Sequence, residues 1–305
     1  MTSLLAFPRG LWVILTTPFD DEDALDIASA RRQVHFAKEV GADGVVALGV
    51  FGEGASLSLV EQRRLAATVA EEAGGTPVLL GVSGRSTAVA LEQCENALAG
   101  ARDAGVTDAT LMVQINSSAP DVVVAHLGSI HEATGAGIVL QDYPVASGVH
   151  MPTAAVAQVV EECPFVVAVK AEAPPTPVAI AALTAGSDVP VFGGLGGVGL
   201  VDELTMGAAG AMTGFSHPEG LRATIDAFGS EGFEAARRVW APWLPLANFE
   251  AQQGLALSVR KTLLHRRGVL DSPRVRPPAP SMPDSLSDLL DQHLATAPTH
   301  QQGAR

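Results

Sequence analysis

Cysteine, aromatic residues and positive charge are all in short supply in this chain. Two cysteines, Cys94 and Cys163, are too few for a disulfide framework or a cysteine-based zinc site. They fit a reducing compartment, and the expected location is the cytoplasm. With one tyrosine and three tryptophans in a chain that is 47% hydrophobic, Ala, Val and Leu must fill most of the core. The 19 Lys and Arg residues face 33 Asp and Glu, a formal charge of −14. Nucleic acid and anionic membrane surfaces need clustered cations and are not expected partners. The arginine pairs at 31–32, 63–64, 237–238 and 266–267 fall in helix-like segments and read as solvated faces. No apolar run reaches the ~18 residues that suggest a membrane span. The amino-terminal stretch lacks a basic n-region and a small-residue cleavage site, so it does not read as a signal peptide. Nothing points to a cofactor, and a histidine without partners, such as His217, is a poor indicator of metal; none is expected.

What the chain does have is a repeated alternation. Short apolar runs lie at 11–16, 44–48, 77–81, 109–113, 137–140, 165–170, 190–192 and 211–213. Between them lie Ala-rich amphipathic segments at 27–40, 59–73, 87–104, 121–133, 152–162 and 177–185. Strands alternating with helices imply parallel βαβ units. Eight such units over roughly 215 residues match an α/β (β/α)8 TIM barrel better than an open doubly wound sheet. The expected barrel occupies residues 8–222, followed by a C-terminal helical extension over 223–295. After the last strand, 221–268 reads as all-helical, with Trp240, Trp243, Leu244 and Leu246 as a bulky face. A proline-rich connection at 271–283 leads to Asp284 or Ser285, either of which suits the N-cap of a last helix running to about 294. The polar tail, 296–305, reads as disordered.

Barrel enzymes place their chemistry at the carboxyl ends of the strands. Lys170 closes the run 165–170, which reads as a buried strand. Burial disfavours an ammonium ion, and a lysine relieved of its proton attacks carbonyls. The plainer alternative is a lysine whose head reaches solvent or pairs with Glu172. Glu172 lies two residues on, on the same strand face, and suits a general acid/base. As an ion-pair partner it would instead hold Lys170 charged and inert. Gly194-Leu195-Gly196-Gly197-Val198-Gly199 matches G-x-G-x-x-G, but at the seventh strand rather than in an early βαβ unit, so dinucleotide binding is not expected. A glycine-rich turn there lets backbone approach a ligand, or merely permits close packing.

Several motifs occur in a telling order: Thr17-Pro18-Phe19 after the first strand, Gly49-Val50-Phe51-Gly52-Glu53 after the second, and Lys170 ending the sixth. Lys261-Thr262-Leu263-Leu264 and Val275-Arg276-Pro277-Pro278 follow near the end. Over roughly residues 10–295 the chain resembles the dihydrodipicolinate synthase / N-acetylneuraminate lyase family. The resemblance implies a Schiff base between Lys170 and pyruvate or another 2-oxo acid. It also implies a Gly-x-x-Gly-Glu loop whose backbone N–H groups hold the carboxylate, and a homodimer or homotetramer.

Departures from the family pattern are as informative. Val50 and Phe51 replace the two threonines whose hydroxyls relay protons. Gln141 stands at the position of the family's tyrosine, while Tyr143, two residues on, is a candidate substitute. Val145-Ala146-Ser147 replace the stretch that supplies an arginine for a distal carboxylate, and Asn116 and Ser117 replace a tyrosine contributed across the dimer. The expected catalytic residues are Lys170, Tyr143 and Glu172. The expected substrate contacts are Thr17, Val50, Phe51, Gly52, Gln141, Gly194 and Phe215. Glu53 and Asp142 are expected to cap or orient loops. Two rival readings remain: a catalytically silent barrel that binds a 2-oxo acid, and a barrel that binds a phosphorylated ligand on the 193–199 turn and Gly214.

Overall fold

A computed structural model describes residues 7–298. Its eight strands are β1 (Gly10–Ile14), β2 (Gly44–Ala47), β3 (Val78–Val82), β4 (Thr110–Gln114), β5 (Ile138–Asp142), β6 (Val166–Ala171), β7 (Val191–Phe192) and β8 (Gly210–Thr213). All pair in parallel, in the spatial order β7-β6-β5-β4-β3-β2-β1-β8. The ring closes between β7 and β8 where Ala209 N donates to Val191 O at 2.7 Å and Met212 N to Gly193 O at 2.9 Å. The fold is a TIM barrel.

Helices alternate with the strands: α1 (Ile27–Glu39), α2 (Leu59–Ala73), α3 (Thr87–Asp103), α4 (Pro120–Thr134), α5 (Pro144–Ser147), α6 (Thr153–Glu162), α7 (Thr176–Gly186), α8 (Leu200–Thr205) and α9 (Pro218–Glu231). Helix α8 is too short to reveal itself by periodicity, and the sequence reading passed over it. The remaining helices are α10 (Phe233–Trp240), α11 (Leu244–Glu250), α12 (Ala256–Arg266) and α13 (Ser287–Thr296). No helix among the described residues is long and apolar enough to cross a membrane.

Two cores follow from the alternation of side chains along each strand. Inward residues form the barrel interior, with Trp12, Ile14, Val46, Leu79, Met112 and Phe192 in one cluster. Phe7 stacks on Trp12 at 4.3 Å and meets Phe192 edge-on at 5.8 Å, which plugs the amino-terminal end. Gly44 yields the space Trp12 needs, since a Cβ there would lie 2.4 Å from the indole. Outward strand residues pack on the helices, and α1, α2 and α3 put several alanines on their buried faces: Ala30 and Ala37, Ala66, Ala70 and Ala73, Ala97 and Ala101. Small side chains bring these helices close to the sheet, which is how a core poor in aromatics reaches native density.

Trp240, Trp243 and Leu246 are buried, whereas Leu244, read as part of the same face, is 38% exposed at the first position of α11. A 3-10 turn (Asp284–Leu286) precedes the last helix, so α13 begins later than Asp284 or Ser285 would cap it. Thr296 ends α13 and Ala297 is buried; residues 299–305 of the expected tail lie outside the described residues.

Candidate active site

Strand periodicity places the central side chains. Ala168, Lys170 and Glu172 share one face of the β6 segment, and Ala168 belongs to the barrel interior. Lys170 is in register with Gln141 on β5 and Phe192 on β7. Lys170 and Glu172 are only 5% and 4% exposed. Lys170 Nζ lies 3.1 Å from Glu172 Oε2, and Gln141 Nε2 donates to the same oxygen at 2.7 Å. The other oxygen accepts from Leu195 N at 3.3 Å. The carboxylate is thus held on both sides, with one oxygen facing the lysine.

The glycine-rich turn after β7 exists to accommodate carboxylates. A Cβ at Gly194 would lie 2.2 Å from Glu172 Oε1, and one at Gly193 would lie 1.7 Å from Glu203 Oε2. Glu203 is pushed up to about 7 by burial, opposed by the hydrogen bond from Thr176 and reinforced by the nearby Glu172 and Asp202. Thr176 Oγ1 donates to Glu203 Oε1 at 2.6 Å. Asp142, at the end of β5, is raised to about 6, mainly by burial and then by Glu172, with His150 opposing.

The loop after β2 forms the next wall. Gly49, Val50 and Phe51 line the cavity. Gly52 stands behind, where a Cβ would lie 2.9 Å from the amides of Leu48 and Gly49. Thr17 also stands behind, donating from Oγ1 to Gly52 O at 2.5 Å. Glu53 takes a left-handed φ of 51° and turns into the protein to meet Lys261 Nζ at 2.5 Å. Burial pushes the Glu53 carboxyl up and the Lys261 ammonium down, and their contact opposes both shifts. Lys261 also donates to Arg274 O at 2.8 Å, so α12 and the segment after it brace this loop.

The third wall comes from the C-terminal helices. Asn248, Gln253, Leu257 and Arg260 line the cavity from α11, α12 and their connection. Arg260 is 3% exposed; its Nε donates to Glu250 Oε1 at 2.5 Å, and its guanidinium lies 4.2 Å from the centre of the Phe51 ring. Glu250 in turn accepts from Ser216 N at 3.1 and 3.0 Å. Phe215 points away from the cavity and packs edge-on against Trp240 and Trp243 at 5.6 and 6.0 Å. His217 is held neutral, lowered to about 3 by burial and by Arg267, and pairs through Nδ1 with Ser216 Oγ at 2.9 Å.

The structure therefore brings Lys170, Glu172, Gln141, Tyr143, Val50 and Phe51 around one cavity of ≈ 700 Å³. Thr17, Gly52, Gly194 and Phe215, expected to touch substrate, are instead placed behind its wall. Gly194 makes room for Glu172 and Gly52 for Gly49, which do line it, whereas Thr17 ties down Gly52 and Phe215 packs on Trp240 and Trp243. Tyr143 caps α5 and faces the cavity; burial raises its phenol, Glu172 adds to this and Arg260 opposes. Val145 forms an apolar rim, and Asn116 is engaged elsewhere, donating to Arg85 O at 2.9 Å. Sequence reasoning missed Arg260. Its only signal is a cation beside Lys261 in an otherwise apolar helical stretch, and the ten-residue reach to Glu250 crosses between two helices, where no periodicity applies.

Comparison with known proteins places the chain in a family. The chain is 30% identical over 291 residues to an L-2-keto-3-deoxyarabonate dehydratase from Azospirillum brasilense, covering 92% of each protein. It is 31% identical over 287 residues to a 4-hydroxy-tetrahydrodipicolinate synthase from Parasynechococcus marenigrum, again covering 92% of each. The crystal structure of a dihydrodipicolinate synthase from Rhodopseudomonas palustris superimposes with a TM-score of 0.87 at 29% identity, covering 94% of this chain and 97% of the other. The sequence pattern of the dihydrodipicolinate synthetase family matches residues 7–297. A barrel with a buried lysine ending its sixth strand and a Gly-x-x-Gly-Glu loop after its second belongs, on this match, to the dihydrodipicolinate synthetase family.

Proposed function

We propose that the protein is a class I, Schiff-base lyase or aldolase that acts on pyruvate or another 2-oxo acid through an imine at Lys170. The observation that carries this reading is the contact between the buried Lys170 Nζ and Glu172 Oε2 at 3.1 Å, in the cavity at the carboxyl ends of the strands. In imine formation the lysine passes a proton to Glu172 and its free amine attacks the keto carbon, forming the C–N bond. The carbonyl oxygen then leaves as water. Both of its hydrogens come from the original ammonium, and Glu172 carries one back to the departing hydroxyl. The product is a protonated imine beside a carboxylate, with charge conserved. That imine draws electrons from the adjacent carbon, so a bond there breaks or forms without any cofactor. The carboxylate of the 2-oxo acid is assigned to the backbone N–H groups of the Val50–Gly52 loop.

Glu172 rather than Tyr143 is the acid/base in this reading. Glu172 touches the lysine, whereas the raised Tyr143 phenol keeps its proton through neutral pH and serves as a hydrogen-bond donor to substrate oxygen. Gln141 replaces the family tyrosine by orienting Glu172. The phosphorylated-ligand reading fares poorly, because Glu172 and Glu203 crowd the 193–199 turn, and the amides of Leu195 and Gly196 are committed to Glu172 and Thr213. The silent-barrel reading draws on Val50 and Phe51 and on an ion pair that would keep Lys170 charged.

Borohydride treatment with a panel of 2-oxo acids separates these readings. A stable mass adduct on the wild type, absent in Lys170→Ala, is expected, with turnover in that variant down on the order of 10⁴-fold or more. No adduct with any 2-oxo acid sinks the reading. On family membership we also infer a homodimer or homotetramer, which sedimentation velocity tests. The two buried free thiols are consistent with a cytoplasmic location.

A further inference from the structure

We propose that Arg260 binds a second carboxylate, so that the preferred ligands are 2-oxo acids with an acidic group at the far end from the imine. The proposal deepens the Schiff-base reading, taking the 2-oxo end to lie at Lys170.

The argument begins with what the guanidinium does without a ligand. One edge is committed: Nε donates to Glu250 Oε1 at 2.5 Å, and Glu250 is itself fixed by the amide of Ser216. The plane of the group is set by the Phe51 ring beneath it, at 4.2 Å. Nη1, in contrast, is a buried donor with no hydrogen-bond partner. Native interiors leave few such donors unpaired, and because Arg260 lines the cavity an acceptor from outside the chain can complete its guanidinium. Gly214 supports this placement, since a Cβ there would stand 1.9 Å from Nη1 and would push the guanidinium out of position.

Charge narrows the acceptor. Among the described residues, Lys170 and Arg260 are the two cations that line the cavity, and Glu172 is its one acid. With Lys170 engaged at the imine, Arg260 is the cation left to meet substrate. A guanidinium presents its donors as a planar fork, which matches a carboxylate better than a single hydroxyl. Position argues that this is not the carboxylate next to the imine. Phe51 packs on the barrel-interior cluster and carries Arg260 on its ring, so the guanidinium sits a ring's thickness out from that floor, beside the α11–α12 connection. A cavity of ≈ 700 Å³ also leaves space well beyond a three-carbon acid. The cation missing from residues 145–147 is thus supplied by a different element, across the mouth.

Two measurements test this. The first is calorimetric binding of glutarate against valerate, five-carbon acids that lack the oxo group and so cannot form an imine. The wild type should bind the diacid about tenfold tighter or better, as expected for a charge-assisted pair. The preference should vanish in the double variant Arg260→Met/Glu250→Gln, which leaves no unpaired buried charge, and should shrink in Gly214→Ala. Equal binding of both acids by the wild type overturns the proposal whether or not any variant folds. The second is borohydride trapping with pyruvate and with 2-oxoglutarate. Half-saturation for the diacid should rise about tenfold in the double variant while that for pyruvate stays put. An equal rise for pyruvate would assign Arg260 to the first carboxylate and overturn the proposal. No adduct with either acid would sink the Schiff-base reading, and the calorimetry would still decide Arg260.

Discussion

On the strand side of the cavity, Gln141, Lys170 and Glu172 come from neighbouring strands whose register aligns Gln141 with Lys170, and local periodicity alone turns them inward. On the helix side, Arg260 and Glu250 come from separate helices and meet only because α12 folds back across the barrel mouth. Both sides hold a buried cation against a carboxylate, at 3.1 Å for Lys170–Glu172 and 2.5 Å for Arg260–Glu250. Yet they differ in what is left over. The Glu172 carboxylate has partners on both oxygens and faces the lysine, whereas the Glu250 carboxylate takes Ser216 N and Arg260 Nε and leaves the buried Arg260 Nη1 without a partner. In the proposed reading the strand side moves a proton and the helix side holds a charge still.

The largest expected effect that would break this division is on the strand side. Glu172→Gln preserves shape and should cut turnover about 10²- to 10⁴-fold, the usual range for a lost acid/base. Tyr143→Phe should cost much less. Steady-state rates with a trapped-imine control decide it: wild-type turnover in Glu172→Gln would strip Glu172 of the role.

Next comes the brace between the two sides. Lys261 is fully buried and pairs with Glu53 beneath the loop after β2. Lys261→Met strands that carboxylate and should lower stability by about 3–5 kcal/mol. Urea denaturation measures this, and a loss near zero would mean the loop does not depend on α12.

A third test concerns the turn behind Glu172. Glu203 keeps its proton up to about 7 in the native state, against 4.5 as its ordinary value. Between those values the native state binds more protons than the unfolded chain, so stability is full below about 4.5 and falls as pH rises through 7. The loss should be on the order of 3 kcal/mol. Glu203→Gln should flatten that part of the stability-versus-pH curve; an unchanged slope would show that Glu203 ionises normally.

The smallest expected effect sharpens the geometry. Gly194→Ala places a Cβ 2.2 Å from Glu172 Oε1 and should displace the carboxylate, lowering turnover about tenfold while the fold persists. Parallel kinetics and circular dichroism would report it. An undiminished rate would show that Glu172 tolerates the shift.

The barrel was legible because its signals are local. Apolar runs of strand length alternate with amphipathic segments of helical period, and strand ends follow from strand runs. Lys170 and Glu172 were found in this way, two residues apart on one strand. Thr17, Gly52, Gly194 and Phe215 occupy the right loops, but which side of a wall a loop residue faces depends on packing that no short pattern encodes. Glu203 and Thr176 went unnoticed for the same reason.

The amino-acid sequence by itself determined the alternation of elements, the inward face of each strand and the position of the lysine, because each of these depends on residues within one element. Only the tertiary structure decided what surrounds that lysine. The return of α12 over the mouth, the stacking of Arg260 on Phe51 and the brace from Lys261 to Glu53 join residues some 200 positions apart. Contacts of that kind are selected by burial and charge compensation in the assembled core, and they leave no periodic trace along the chain.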